Sequence, residues 1–192
     1  FERDDRIDAY RWSDDRLVFD ARIADFSEGD APVFNKGVEA IASLEGGVLA
    51  LAEEDFESGA AGYFVTAGGE RRAVAYRRAG GFQPTGMARE GDALFILERF
   101  YSPLRGVRAR ILLADVPTTE NPVLLPEILA SFGVLMPVDN MEGLAARPLG
   151  DGRVMLYAVS DDNYSERQKT ILLMFEYVPP ETSVGAARIE LE

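Results

Sequence analysis

Val138-Asp-Asn-Met-Glu142-Gly-Leu-Ala145, followed by Gly152-Arg-Val-Met-Leu-Tyr-Ala-Val-Ser160-Asp161-Asp162-Asn163-Tyr164, is the stretch from which the rest of the chain can be read. A short strand, a glycine-containing turn, a second apolar strand and an acidic cluster ending in an aromatic follow one another. The same succession occurs twice upstream. Asn35-Lys-Gly-Val-Glu39-Ala-Ile-Ala42 precedes Gly46-Gly-Val-Leu-Ala-Leu-Ala-Glu53-Glu54-Asp55-Phe56, and Phe82-Gln-Pro-Thr85-Gly-Met-Ala88 precedes Gly91-Asp-Ala-Leu-Phe-Ile-Leu-Glu98-Arg99-Phe100-Tyr101. Glu39, Thr85 and Glu142 are thus equivalent, 46 and then 57 residues apart. Repeats of roughly 40–50 residues built from short strands mark the blades of a β-propeller.

A third element follows each cluster: Gly62-Tyr-Phe-Val-Thr66, Arg110-Ile-Leu-Leu-Ala-Asp115 and Thr170-Ile-Leu-Leu-Met-Phe-Glu-Tyr177 are β-rich runs of strand length. Fourth strands are expected at Ala73-Val-Ala-Tyr76 and in the Val123 and Val134 stretches; Pro126 to Phe132 also has the apolar spacing of a short helix. Phe1-Glu2-Arg3 matches Leu97-Glu98-Arg99, and Arg6-Ile-Asp-Ala-Tyr10 takes the third-strand place, so the chain is expected to open inside a blade. The expected class is all-β, a propeller of four-stranded blades. Residues 1–26 end one blade, 35–80, 82–135 and 138–178 make three full ones, and 179–192 form a tail. A β-sandwich of similar hairpins is the alternative, but sandwich hairpins have no reason to keep an acidic cluster in phase. Propellers close with typically 4–8 blades, so either the tail pairs with the opening half blade as a small fourth blade, or blades are missing and the chain is the C-terminal portion of a larger domain, six-bladed and monomeric when complete.

Composition narrows the chemistry. The 192 residues hold 33 acidic against 20 basic side chains, a formal charge of −13, which repels phosphate backbones and argues against nucleic-acid partners. The same acidity suits oxygen-liganded Ca²⁺. No window approaches 18 consecutive apolar residues, so no segment reads as a membrane-inserted helix. With no histidine and no cysteine, Ser-His-Asp triads, thiol catalysis and His- or Cys-ligated metals are all excluded. Carboxylates, Arg/Lys, Tyr and Ser/Thr are what is left to act.

Glu39 and Glu142 begin the strand that lies nearest the axis of a propeller, where carboxylates converging without a cation repel one another. Two outcomes are open: a calcium site at the channel mouth, or glutamates bonded to backbone N–H groups of the neighbouring blade. The clusters Glu53-Glu54-Asp55, Glu98-Arg99 and Asp161-Asp162 stand one hairpin away and recur in phase; a solvated loop is the alternative there. Arg3 and Arg99 each follow a glutamate, as ion-pair partners or as bidentate contacts to a phosphate, and Lys36 is a weaker anion contact. Tyr101 and Tyr164 are expected to pack on blade edges, and Trp12 on an outer strand.

Asp139-Asn-Met-Glu142-Gly-Leu-Ala145 with Leu156-Tyr-Ala-Val-Ser-Asp161-Asp162-Asn163 resembles the end of the bacterial phytase-like domain, described as having esterase-like activity of phytase. Phe1-Glu-Arg-Asp-Asp-Arg-Ile7 is similar to a mid-domain motif of that family. More distantly, Glu39 with Glu53-Glu54-Asp55 resembles a Glu-Gly…Glu-Glu-Asp pattern of the alkaline β-propeller phytases, with Ala40 in place of the glycine. The resemblance implies calcium or phosphate-site roles for Glu39, Glu53 and Glu54. The resulting expectation is a periplasmic or secreted hydrolase of small phosphoesters or esters. Calcium would be held by Glu39, Glu53, Glu142 and Asp162, with Glu54 or Asp161 as general base and Arg3, Arg99 and Lys36 on the substrate. A non-catalytic propeller binding a ligand or partner at its channel mouth is the alternative.

Overall fold

The computed structural model describes residues 5–26, 37–118, 122–133 and 136–180. Among the described residues there are fourteen strands and no helix. In chain order they are β1 (Arg6–Ser13), β2 (Arg16–Asp25), β3 (Val38–Leu44), β4 (Gly47–Ala52), β5 (Gly62–Thr66), β6 (Arg71–Tyr76), β7 (Gln83–Glu90), β8 (Ala93–Ser102), β9 (Gly106–Asp115), β10 (Val123–Leu124), β11 (Glu127–Phe132), β12 (Met141–Gly150), β13 (Arg153–Ser160) and β14 (Leu172–Tyr177). Four sheets result: β1-β2, then β3-β4-β5-β6 with β10 on its edge, then β7-β8-β9-β11, then β12-β13-β14. Within each sheet, strands joined in sequence pair antiparallel. Tight turns make this possible; between β12 and β13, Asp151 and Gly152 take φ of +51° and +81°, as two-residue hairpin turns require.

The sheets stack face to face in chain order. Alternation along β8 shows why. Leu94 and Ile96 pack into a core with Leu49, Leu51, Phe64 and Val74 of the preceding sheet, while Phe95 and Leu97 pack with Met141, Val154 and Leu156 of the following one. All four of these β8 side chains are fully buried, because both faces of the strand are covered. β4 repeats the pattern, its Ala50 and Ala52 meeting Ile7, Phe26 and Tyr63 on the side of β1 and β2. The first strands of three sheets, β3, β7 and β12, are neighbours, with β7 between the other two. An all-β stack of antiparallel meanders with adjoining first strands is consistent with a propeller-like arrangement.

Several local expectations change. Pro126 to Phe132 holds the strand β11, in keeping with the all-β class and against the helical alternative. Val123-Leu124 does not extend its own sheet; β10 pairs parallel with β6 of the preceding one, and the buried Leu124 anchors it there. Tyr101 and Tyr164 do not pack on sheet edges but stand in solvent, as does Trp12 on β1. The Val134 stretch lies only partly in the described residues, and the tail beyond residue 180 lies outside them.

Candidate active site

Three β-bulges build the site. In the β3–β4 ladder Val38 pairs with Ala52 and Ala40 with Leu51, so Glu39 has no partner. Thr85 is skipped in the same way between Pro84 and Gly86 of β7, and Glu142 between Met141 and Gly143 of β12. A bulge inserts one residue, bends the strand and re-aims a side chain, and here it does so at the same place in three sheets. The next position shows why small residues follow. A Cβ on Gly86 would stand 3.0 Å from the backbone nitrogen of Leu144, and one on Gly143 would meet Val159 Cγ1 at 2.7 Å. β3 has room for one methyl there, that of the fully buried Ala40.

The second strand supplies the facing residues. Glu53 N–H donates to the Gly37 carbonyl and Asp161 N–H to the Asn140 carbonyl, both at 2.9 Å, while Arg99 pairs with Gln83. Glu53, Arg99 and Asp161 are therefore equivalent. Glu98, which the sequence alignment put in phase with the acids, stands one residue earlier, level with Ala52 and Ser160. Consecutive strand residues point to opposite faces, and so Glu98 turns inward. It is completely buried, accepts the Tyr76 hydroxyl at 2.5 Å and an N–H from Arg110 Nε. Arg110 also donates to the Ala79 carbonyl at 3.1 Å and lies 4.1 Å above the Phe82 ring. The Tyr76–Glu98 bond ties β6 of the preceding sheet to β8, and burial pushes the Tyr76 hydroxyl far above its ordinary range.

Arg99 faces the following sheet, where its Nη2 lies 3.7 Å from Glu142 Oε1. Loss of hydration pushes the Glu142 carboxyl up. Arg99 and a hydrogen bond from the buried Asn140 oppose this, while Asp161 and Glu53 reinforce it. Glu39 is also pushed up, first by loss of hydration among crowding protein atoms although part of its side chain is open to solvent, then by Glu142, Glu53 and Asp5. Asp5 occupies the space where a side chain on Gly37 would be, and its Oδ1 accepts the Val38 N–H at 3.1 Å. Glu142 acts on Glu39 across the bulges, but the surroundings of the two differ. Glu142 has an arginine and an amide in support of its charge; the side chains acting on Glu39 are acidic.

Thr85, the equivalent of these glutamates in β7, instead donates its hydroxyl to the Met141 carbonyl at 2.7 Å. That is a bond between neighbouring sheets, made by a side chain to the backbone.

Of the remaining sequence candidates, Glu54 is exposed, and the adjacent Asp55 pairs with Arg78. Asp161 Oδ1 accepts the Asn163 N–H at 3.0 Å. Asp162 accepts the Tyr164 N–H at 2.9 Å and the Thr170 hydroxyl at 3.2 Å. Both aspartates thus shape the turn after β13, where Asn163 and Tyr164 have positive φ. Arg3 and Lys36 lie outside the described residues. Among the described residues no three His, Cys, Asp or Glu side chains gather closely enough to hold a metal ion. Asp5 and Asn140 join the site through the bulge geometry, which no sequence pattern signals.

No curated protein matches the chain. A family model described as Phytase-like, esterase-like activity of phytase, matches residues 1–164, which take in thirteen of the fourteen strands, and the chain belongs to that family.

Proposed function

We propose that the sheets are consecutive blades of a propeller and that the protein hydrolyses a phosphoester, or a related ester, at the mouth where β3, β7 and β12 begin. Membership of the phytase-like family suggests a phosphoester hydrolase at a coarse level. The observation that carries the reading is the contrast between two glutamates on equivalent bulges: Glu142 beside Arg99 and Asn140, Glu39 beside Asp5 and Glu53. Paired carboxyls in unlike surroundings divide into a base and an acid.

In this mechanism Arg99 releases part of its contact with Glu142 to a substrate oxygen, as a guanidinium does for phosphate and carboxylate anions. Glu142, ionised, takes a proton from the attacking water. Glu39, which holds its proton more tightly because lost hydration and acidic neighbours disfavour its charge, gives that proton to the departing alkoxide oxygen. One bond forms from water oxygen to the ester centre, one ester bond breaks, and the proton count is restored when the two glutamates exchange a proton with solvent. No step passes through calcium.

The decisive experiment is the pH profile of hydrolysis of phenyl phosphate and phenyl acetate by the purified protein and by Glu39→Gln and Glu142→Gln. A bell-shaped profile that loses its alkaline limb in the first variant and its acidic limb in the second supports the assignment. Saturable ligand binding with no turnover on either ester would instead favour a mouth that binds without chemistry, for which the Arg99–Glu142 ion pair is already built.

A further inference from the structure

Glu39 and Glu142 stand on equivalent bulges, and the residues two places earlier are equivalent as well. Gly37 and Asn140 each offer their carbonyl to the first residue past the second strand, Glu53 and Asp161, at 2.9 Å. What fills the space beside that carbonyl differs. Asn140 carries its own side chain, which is buried and hydrogen-bonds the Glu142 carboxyl. Gly37 carries none, and the Asp5 carboxyl takes the room, its Cγ 2.6 Å from where a Cβ on Gly37 would stand. One sheet therefore places an amide at this point. The other places a carboxylate, supplied by the chain just before β1.

Both groups are held. The Asn140 N–H donates to Asp139 Oδ1 at 2.9 Å, and Asp139 Oδ2 accepts the Lys169 N–H at 2.8 Å, so the loop after β13 fixes this stretch of chain. Asp5 is fastened twice. Its Oδ1 accepts the Val38 N–H at 3.1 Å, and its carbonyl accepts the N–H of the fully buried Phe26 at 2.8 Å. An amide N–H can donate to a neighbouring carboxylate, whereas an ionised carboxylate only accepts. A donor favours the charged form of a carboxyl, and a second acid beside it favours the neutral form. The other charges do not cancel this difference. Among the described residues, Arg99, Asp161 and Glu53 act on Glu142, and Glu142, Glu53 and Asp5 act on Glu39.

We propose that Asn140 and Asp5 are positioning residues that assign the two glutamates their parts, the Asn140 amide making Glu142 the base and the Asp5 carboxylate making Glu39 the acid. The assignment of parts rests on the function proposed above; the charge preference behind it is measured without turnover. The protein is labelled with 13C at the glutamate side-chain carboxyls. The Glu39 and Glu142 signals, identified by their loss in Glu39→Gln and Glu142→Gln, are then titrated. Asp5→Asn keeps an oxygen for the Val38 N–H and is expected to lower the Glu39 midpoint by about one pH unit, a roughly tenfold change in proton affinity. Asn140→Asp keeps the size of the side chain and is expected to raise the Glu142 midpoint by about as much. Asn140→Ala, which removes the amide without adding charge, is expected to raise it less, and it replaces Asn140→Asp if the second acid prevents folding. A Glu39 midpoint unmoved in Asp5→Asn, or a Glu142 midpoint unmoved in the Asn140 variants, overturns the inference.

Ester hydrolysis supplies the second readout. In pH profiles on phenyl phosphate and phenyl acetate, Asp5→Asn is expected to bring the alkaline limb down and Asn140→Asp to bring the acidic limb up, following the midpoints. A purely structural role would lower the rate at every pH and leave both limbs in place. Midpoints that move while the unmodified protein hydrolyses neither ester sink the hydrolase reading and leave the two carboxyl environments standing. Hydrolysis whose limbs ignore the shifted midpoints sinks this inference alone.

Discussion

Arg99 Nη2 lies 3.7 Å from Glu142 Oε1, across the gap between two sheets. Arg99 is the one cation among three equivalent positions, the others being Glu53 and Asp161, and Thr85 in the same sheet is the one neutral residue among Glu39, Thr85 and Glu142. The middle sheet thus supplies a positive charge and withholds a negative one exactly where its two neighbours supply acids. That inversion supports ionised Glu142 and does nothing for Glu39.

Replacing Arg99 by Gln removes the main support for the Glu142 charge. The acidic limb of the hydrolysis profile is expected to move to higher pH, and kcat/KM to fall by roughly a hundredfold or more, as when a group facing developing negative charge is lost. A profile unmoved in Arg99→Gln would detach Arg99 from Glu142.

Glu39→Gln is expected to raise the melting temperature at neutral pH and to change it little near pH 4. The Glu39 carboxyl is pushed above its ordinary range by lost hydration and acidic neighbours, so the folded protein holds its proton more tightly than the unfolded chain. Stability from this group is complete below the unfolded value and declines as pH rises through the folded one. A neutral amide removes that decline. Melting curves at the two pH values check it; a lower melting temperature at neutral pH would contradict it.

Glu98→Ala leaves Arg110 buried without its carboxylate and is expected to cost about 3–5 kcal/mol in denaturant titration. Tyr76→Phe removes only one of the bonds to Glu98 and is expected to cost about 1–3 kcal/mol.

Gly86→Ala is expected to destabilise the protein by about 1–3 kcal/mol, since its Cβ would crowd the backbone of Leu144 at 3.0 Å. Because β7 and β12 would be pressed apart, the same variant is expected to weaken the Arg99–Glu142 contact and shift the pH profile in the direction of Arg99→Gln. Thr85→Val, which loses the bond to the Met141 carbonyl, is expected to cost about 0.5–1.5 kcal/mol.

Strand identity was legible in advance wherever apolar runs sat between glycine turns. The third-strand runs, the Ala73–Tyr76 strand and the placement of Arg6–Tyr10 on a strand all correspond to β5, β9, β14, β6 and β1. What misled was counting along the chain. Aligned by their turns, Glu53 and Glu98 coincide; aligned by pairing, they differ by one residue, and one residue changes the face. Glu98 therefore became a buried structural anion instead of a site acid. Val123-Leu124 misled for a related reason, because a two-residue strand carries no pattern that says which sheet it joins.

The spacing of Glu39, Thr85 and Glu142, the hairpin turns and the lack of histidine and cysteine were determined by the sequence alone. So were the all-β class and the motif shared with the phytase-like family. Only the tertiary structure decided that these three residues are bulge residues, that Arg99 meets Glu142, and that Asp5 fills the space over Gly37. The physical reason is that periodicity records which face a residue takes, whereas a bulge breaks periodicity by one residue. The charges that set a carboxyl's proton affinity come from other sheets, and their distances exist only once the sheets have packed.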